Sequence, residues 1–184
     1  MEVTLLILLS AAPVGAFDVI YFHLWRFRLF ERPESAKEEI THILRGLLVP
    51  AFTGILLVGR PEGTWFWIVT ILFALDSLNT FLDVMFEPSS RAPRGVPPTE
   101  LGVHFIGTSA MGAAWATFML AGWAGRLHPT GISAHIDTFL PDWFFTFGYV
   151  GVTTAFLLVI VEGVLFANAL KQRSLIRSNQ RPVE

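Results

Sequence analysis

Five apolar runs, each about as long as a bilayer is thick, constrain this chain more than any other feature: residues 3–25, 36–58, 64–87, 100–123 and 143–170. A hydrocarbon core about 30 Å thick is crossed by about 20 helical residues, so each run reads as a membrane-spanning helix. The sequence predicts an all-α membrane protein, with one five-helix transmembrane domain over residues 1–171 and a basic tail over 172–184. Composition agrees, since 53% hydrophobic residues and 17 Phe in 184 residues are too apolar for a soluble domain of this size. Cysteine is absent, which excludes disulfides, thiolate metal sites, iron–sulfur clusters and cysteine nucleophiles.

The first run begins like a secretory signal, with Leu5–Leu9 before Ser10-Ala11-Ala12. Its n-region has no Lys or Arg and its apolar character runs on past any cleavage point, so it is expected to stay as a helix kinked at Pro13. Ser35 three residues before Glu38 reads as a capping box opening the second helix. Residues 59–63 read as a tight turn, Pro88 as the stop of the third helix, and 125–142 as the longest loop. Gly107, Gly112 and the neighbouring alanines predict close, central packing for the fourth helix.

Five spans put the two ends on opposite sides. Arg26, Arg28, Arg32, Lys37, Arg91, Arg94, Lys171, Arg173, Arg177 and Arg181 fall on one side, and Arg60 and Arg126 on the other. The positive-inside rule makes the first side cytoplasmic, which predicts a multi-pass protein of the inner (plasma) membrane with its N-terminus out and C-terminus in. Trp65, Trp67, Trp123 and Trp143 would form an aromatic belt at the opposite interface.

Within these apolar runs lies a set of ionisable residues at helical spacing. Asp76, Asn79, Thr80, Asp83 and Glu87 share one face of the third helix, and Glu100 and His104 share one face of the fourth. A membrane segment has little reason to hold such groups unless they line an interior, pair, or bind an ion. The alternating topology brings Asp18, His23, Glu38, Glu39, His42, Asp83, Glu87, Glu100 and His104 to the cytoplasmic end. At 1.5 Å per residue, Asp18 and His42 lie roughly 10–12 Å inside and Asp83 and His104 roughly 6–8 Å inside. The pattern repeats: AFDVIYFH (16–23) corresponds to FLDVMFEP (81–88), and EEITH (38–42) to TELGVH (99–104).

This distribution is similar to that of the di-iron four-helix bundles, in which two helices give one Glu each and two give Glu-x-x-His. Glu39-Ile-Thr-His42 has that spacing, and Glu100-Leu-Gly-Val-His104 has one residue more. The resemblance is one of ligand arrangement over about 90 residues. It implies helices one to four as an antiparallel bundle around two divalent metal ions, with Asp18, Glu39, His42, Asp83, Glu87, Glu100 and His104 as ligands. An oxygen-rich set with imidazoles favours iron, with manganese or zinc possible. Arg45 and Asp76 would pair beneath the site and tune its charge.

Simpler roles compete with these. Glu38 can cap its helix, Glu100 can complement a helix dipole, and Glu31, Glu34 and Glu87 have Arg neighbours for surface ion pairs. His23, five residues from Asp18, points to a different sector of a regular helix, and nothing fixes the role of Glu162. His128, His135 and Asp137 form a second possible cluster on the outer side.

The chain has no Gly-rich phosphate loop, Gly-x-Ser-x-Gly elbow, His-Glu-x-x-His or nucleic-acid motif. Lys37 and Lys171, the two lysines, lie outside the membrane core, which argues against a retinal pigment, and the carboxylates beside His42 and His104 argue against haem. The leading expectation is a di-metal oxidoreductase, with iron favoured, acting on a lipid-soluble substrate such as a quinol, fatty acyl chain or isoprenoid. Alternatives are a zinc-dependent membrane hydrolase of a lipid ester or amide, and a non-enzymatic subunit or ion-transport component whose polar layer forms only salt bridges with Arg26, Arg28, Arg91 and Arg94. Expected partners are the bilayer, the lipid-soluble molecule, and a membrane protein or second copy of the chain.

Overall fold

The computed structural model describes residues 1–91, 95–136 and 138–179, with side chains as far as Ile176. Arg94, Asp137, the side chain of Arg177, and Arg181 in the last stretch of the tail therefore lie outside the described residues. Five helices are long and apolar enough to cross a membrane, as the hydropathy pattern predicts. The first comprises α1 (Glu2–Phe17) and a directly continuing π-helical segment (Asp18–Arg26). The others are α2 (Ala36–Val58), α3 (Thr64–Ser90), α4 (Pro98–Gly122) and α5 (Asp142–Asn179).

The apolar core sits in the half of the molecule that holds the N-terminus. Phe52 stacks on Phe73 with ring centroids 4.2 Å apart, and Phe66 on Phe118 at 5.2 Å. Leu5, Leu9, Leu56 and Leu57 close around them. In that half Gly148 of α5 lies close to Leu9 and Leu57, where a Cβ would stand 2.6 Å from a Leu57 methyl. Large apolar side chains such as Phe105 and Leu120 are left exposed on the outer faces, as a bilayer requires.

Several local expectations are corrected. Pro88 does not stop α3, which continues to Ser90. Proline removes one hydrogen bond and crowds the preceding turn, but it falls in the last turn, where few further bonds depend on it. Ser35 makes no side-chain cap and its hydroxyl has no hydrogen bond. Nor does α4 pack centrally: it lies mainly against α1, and Cβ atoms added at Gly102, Gly107 or Gly112 would meet nothing within 4 Å. α2 takes the central place, packed on both α3 and α5.

The connectors at the apolar end are more ordered than a turn and a loop. β1 (Arg60–Glu62) pairs antiparallel with β2 (Gly131–Ser133), with Pro61 opposite Ile132. Gly63 follows at φ 54°, where a Cβ would stand 2.8 Å from the His128 carbonyl oxygen. His128 Nδ1 lies 3.2 Å from Glu62 Oε1, and His135 Nε2 donates to the Leu56 carbonyl at 2.8 Å.

Candidate metal centre

At the other end the helices bring a layer of ionisable side chains together. The π-helical segment contributes Asp18 and His23, α2 contributes Glu38 and His42, α3 contributes Asp83 and Glu87, and α4 contributes Glu100 and His104. Arg91 enters from just beyond α3. Asp18, Glu38, Asp83, Glu87 and Glu100 are all buried, Glu100 completely.

The π-helical segment explains His23. In a regular α-helix residues five apart diverge, but i→i+5 hydrogen bonding widens the turn and brings them back to one face. His23 Nε2 consequently stands 3.9 Å from Asp18 Oδ2. Its ring lies over His42, with centroids 3.7 Å apart and planes tilted by 37°. The side chain is fully buried, and neither ring nitrogen makes a hydrogen bond. The expectation that His23 points away from the site is overturned.

Other contacts define two sides of the layer. His104 bridges the π-helical segment and α3, with Nε2 3.2 Å from Asp18 Oδ2 and Nδ1 3.3 Å from Glu87 Oε1. His42 Nε2 lies 3.3 Å from Asp83 Oδ2. The Thr41 hydroxyl donates to Asp83 Oδ1, and Asn79 Nδ2 donates to the Thr41 carbonyl at 2.8 Å, which fixes α2 against α3. Arg91 clamps two carboxylates: it lies 3.0 Å from Glu38 Oε1, is hydrogen-bonded to Glu100, and stacks over Phe27 at 4.6 Å. The Ser90 hydroxyl donates to Glu38.

Three groups of donor atoms lie within 4.8 Å of one another: Asp18, His23, Glu100 and His104; His23, Glu38 and His42; and Glu38, Glu87 and Glu100. Glu38 therefore stands in the layer, while Glu39, one residue on, is in none of these groups. Glu39 is buried with neither carboxylate oxygen hydrogen-bonded, within electrostatic reach of Glu162 on α5. Glu162 also lies near His42 and Asp18. Arg45 and Asp76 meet as their positions suggest, with Nε 3.8 Å from Oδ1.

Sequence reasoning put His23 at this level but outside the ligand set, and named Arg91 only as a salt-bridge partner of the layer in the non-enzymatic alternative. Helical periodicity cannot reveal a side chain positioned by a π-helical segment. Arg91 carried a signal, because it lies four residues beyond Glu87 and continues the stripe from Asp76, but Pro88 argued for a loop there. Ser90 was hidden in the same way.

Asp18, Glu38, Asp83, Glu87 and Glu100 set five buried carboxyl groups beside the Arg91 guanidinium and the imidazoles of His23, His42 and His104. The fold is thus that of a multi-pass helical membrane protein with a buried histidine–carboxylate layer. Comparison with protein-family models, curated proteins and solved structures finds no match to this chain.

Proposed function

We propose that this chain is a membrane-embedded di-metal oxidoreductase, with iron favoured, acting on a lipid-soluble substrate. The observation that carries the reading is His23. Salt bridges account for His42 with Asp83 and for His104 with Asp18 and Glu87, but they leave a fully buried imidazole, stacked on another, with neither nitrogen hydrogen-bonded and its nearest carboxylate, Asp18, 3.9 Å from Nε2. A metal ion supplies what that nitrogen lacks.

In this reading His104, Asp18 and Glu100 would hold one ion, and His42, His23 and Glu38 the other, with Glu87 a further carboxylate beside Glu38 and Glu100. Arg91 holds Glu38 and Glu100 in position from behind, as outer partners of ligating carboxylates do. Asp83 and Glu39 add charge beside His42. Oxygen-rich donors with imidazole suit iron or manganese better than structural zinc. In the same reading helices one to four are an antiparallel bundle around the site, and the basic connectors favour a cytoplasmic position for this end, with the N-terminus outside.

The test is oxygen consumption by detergent-purified, iron-loaded protein after anaerobic reduction, compared with His104→Ala. Uptake by the wild type that falls at least about a hundredfold in the variant supports the reading, a loss in the range typical of positioned catalytic groups. Equal uptake by both contradicts it.

A further inference from the structure

A cavity of about 450 Å³ leads from the polar layer toward the apolar core, walled by residues of all five spans, α3 contributing Thr80, Asp83 and Val84. Asp18, His42, Asp83 and His104 line it at the polar layer, with Arg45 and Glu162 the other ionisable lining residues. Along the first span its wall runs from Leu8 to Val19, roughly 16 Å of helix at 1.5 Å per residue. α4 lies on α1 and α5 lies on α2, and α4 and α5 scarcely touch each other. The wall is therefore open on the side where the bilayer lies.

The lining says which kind of molecule fits. The chain is 14% aromatic, yet among the described lining residues Phe147 is the one Phe, Tyr or Trp. Nothing is arranged to sandwich a flat ring, which would prefer offset or edge contacts with aromatic side chains. Small and branched residues dominate instead, and at Gly15, Gly107 and Gly151 a Cβ would meet nothing within 4 Å. Volume and composition match a ligand pocket that is mostly apolar with a few polar groups.

We propose that the cavity holds one flexible aliphatic chain, acyl or isoprenoid, of a membrane lipid that enters sideways between α4 and α5 and presents its reacting end to Asp18, His42 and His104. The chemistry at that end rests on the metal reading above, whereas occupancy of the cavity does not. A rigid quinol ring is disfavoured by the same lining.

The experiment uses palmitic acid bearing a terminal diazirine, and a farnesyl chain bearing the same group, in phosphatidylcholine nanodiscs containing the full chain. Wild type is irradiated beside Gly107→Trp and Gly151→Trp, at both of which a Cβ meets nothing within 4 Å, with the thermal midpoint of each variant measured to establish that it is folded. Adducts from either probe are expected on inward residues such as Val14 and Ala155, and should fall at least about tenfold in both variants. Adducts confined to outward residues such as Leu120 and Ile160, or undiminished in both variants, overturn the proposal. Metal analysis of the same samples separates the two readings: inward labelling without metal keeps the chain site and removes the metal centre, and metal without inward labelling does the reverse.

Discussion

Burying a polar group without a hydrogen bond costs about 1–3 kcal/mol by mutational measures, and a membrane interior offers no water to relieve it. His23 and Glu39 both stand in that position, and they mark where the sequence was hardest to read. Glu38 and Glu39 are adjacent, and the Glu-x-x-His spacing pointed to Glu39, whereas the helix turns Glu38 into the layer because Ser90 and Arg91 meet it there. Asp18, His42, Asp83, Glu87, Glu100 and His104 were legible because an ionisable residue in an apolar run is conspicuous whatever its exact rotation. Arg91 is the sharpest test at this scale. Arg91→Met would leave Glu38 and Glu100 without their shared cation and should destabilise the protein by about 3–5 kcal/mol, read as a lowered midpoint of thermal unfolding in detergent. Arg91→Lys, which keeps the charge but lacks the planar fork, should lie between the two; a midpoint equal to wild type in both variants would contradict the clamp.

Among the elements, the five long helices followed from run length, and the exceptions have separate causes. The π-helical segment leaves no trace in periodicity, and α3 outlasts Pro88 because a proline near a helix end removes little. The β1–β2 ribbon is too short to show as an alternating pattern, and its pairing is between segments about 70 residues apart in sequence. Gly63 supports that ribbon at a positive φ, so Gly63→Ala should cost about 1–3 kcal/mol, measurable by the same unfolding assay; an unchanged midpoint would mean the connector relaxes freely. Hydrogen bonds from Ser133 and His128 hold the Glu62 carboxyl below the usual carboxylate range. A lowered folded pKa stabilises the folded form above the unfolded value and loses that contribution as pH falls through the folded one. Protection of the Gly131–Ser133 amides, taken relative to their intrinsic exchange rate at each pH, should therefore fall below about pH 4.3, and in Glu62→Gln that acid-dependent loss should disappear.

For the whole molecule, hydropathy and connector charge carry the strongest expectation: a multi-pass protein whose polar layer lies at the cytoplasmic end. The absence of native cysteine makes this direct to examine. A single cysteine in place of Ser174 should react with a membrane-impermeant maleimide only after cells are opened, and one in place of Thr130 should react in intact cells; the reverse pattern would invert the topology. The central claim is that the layer holds two metal ions rather than a set of salt bridges, and one measurement addresses it: metal content per chain of purified wild type beside His23→Leu, a change that removes both nitrogens at similar volume. The account predicts about two ions per chain in the wild type and at most about one in the variant, with both proteins folded. Metal at background in folded wild type, or an unchanged content in His23→Leu, would contradict it.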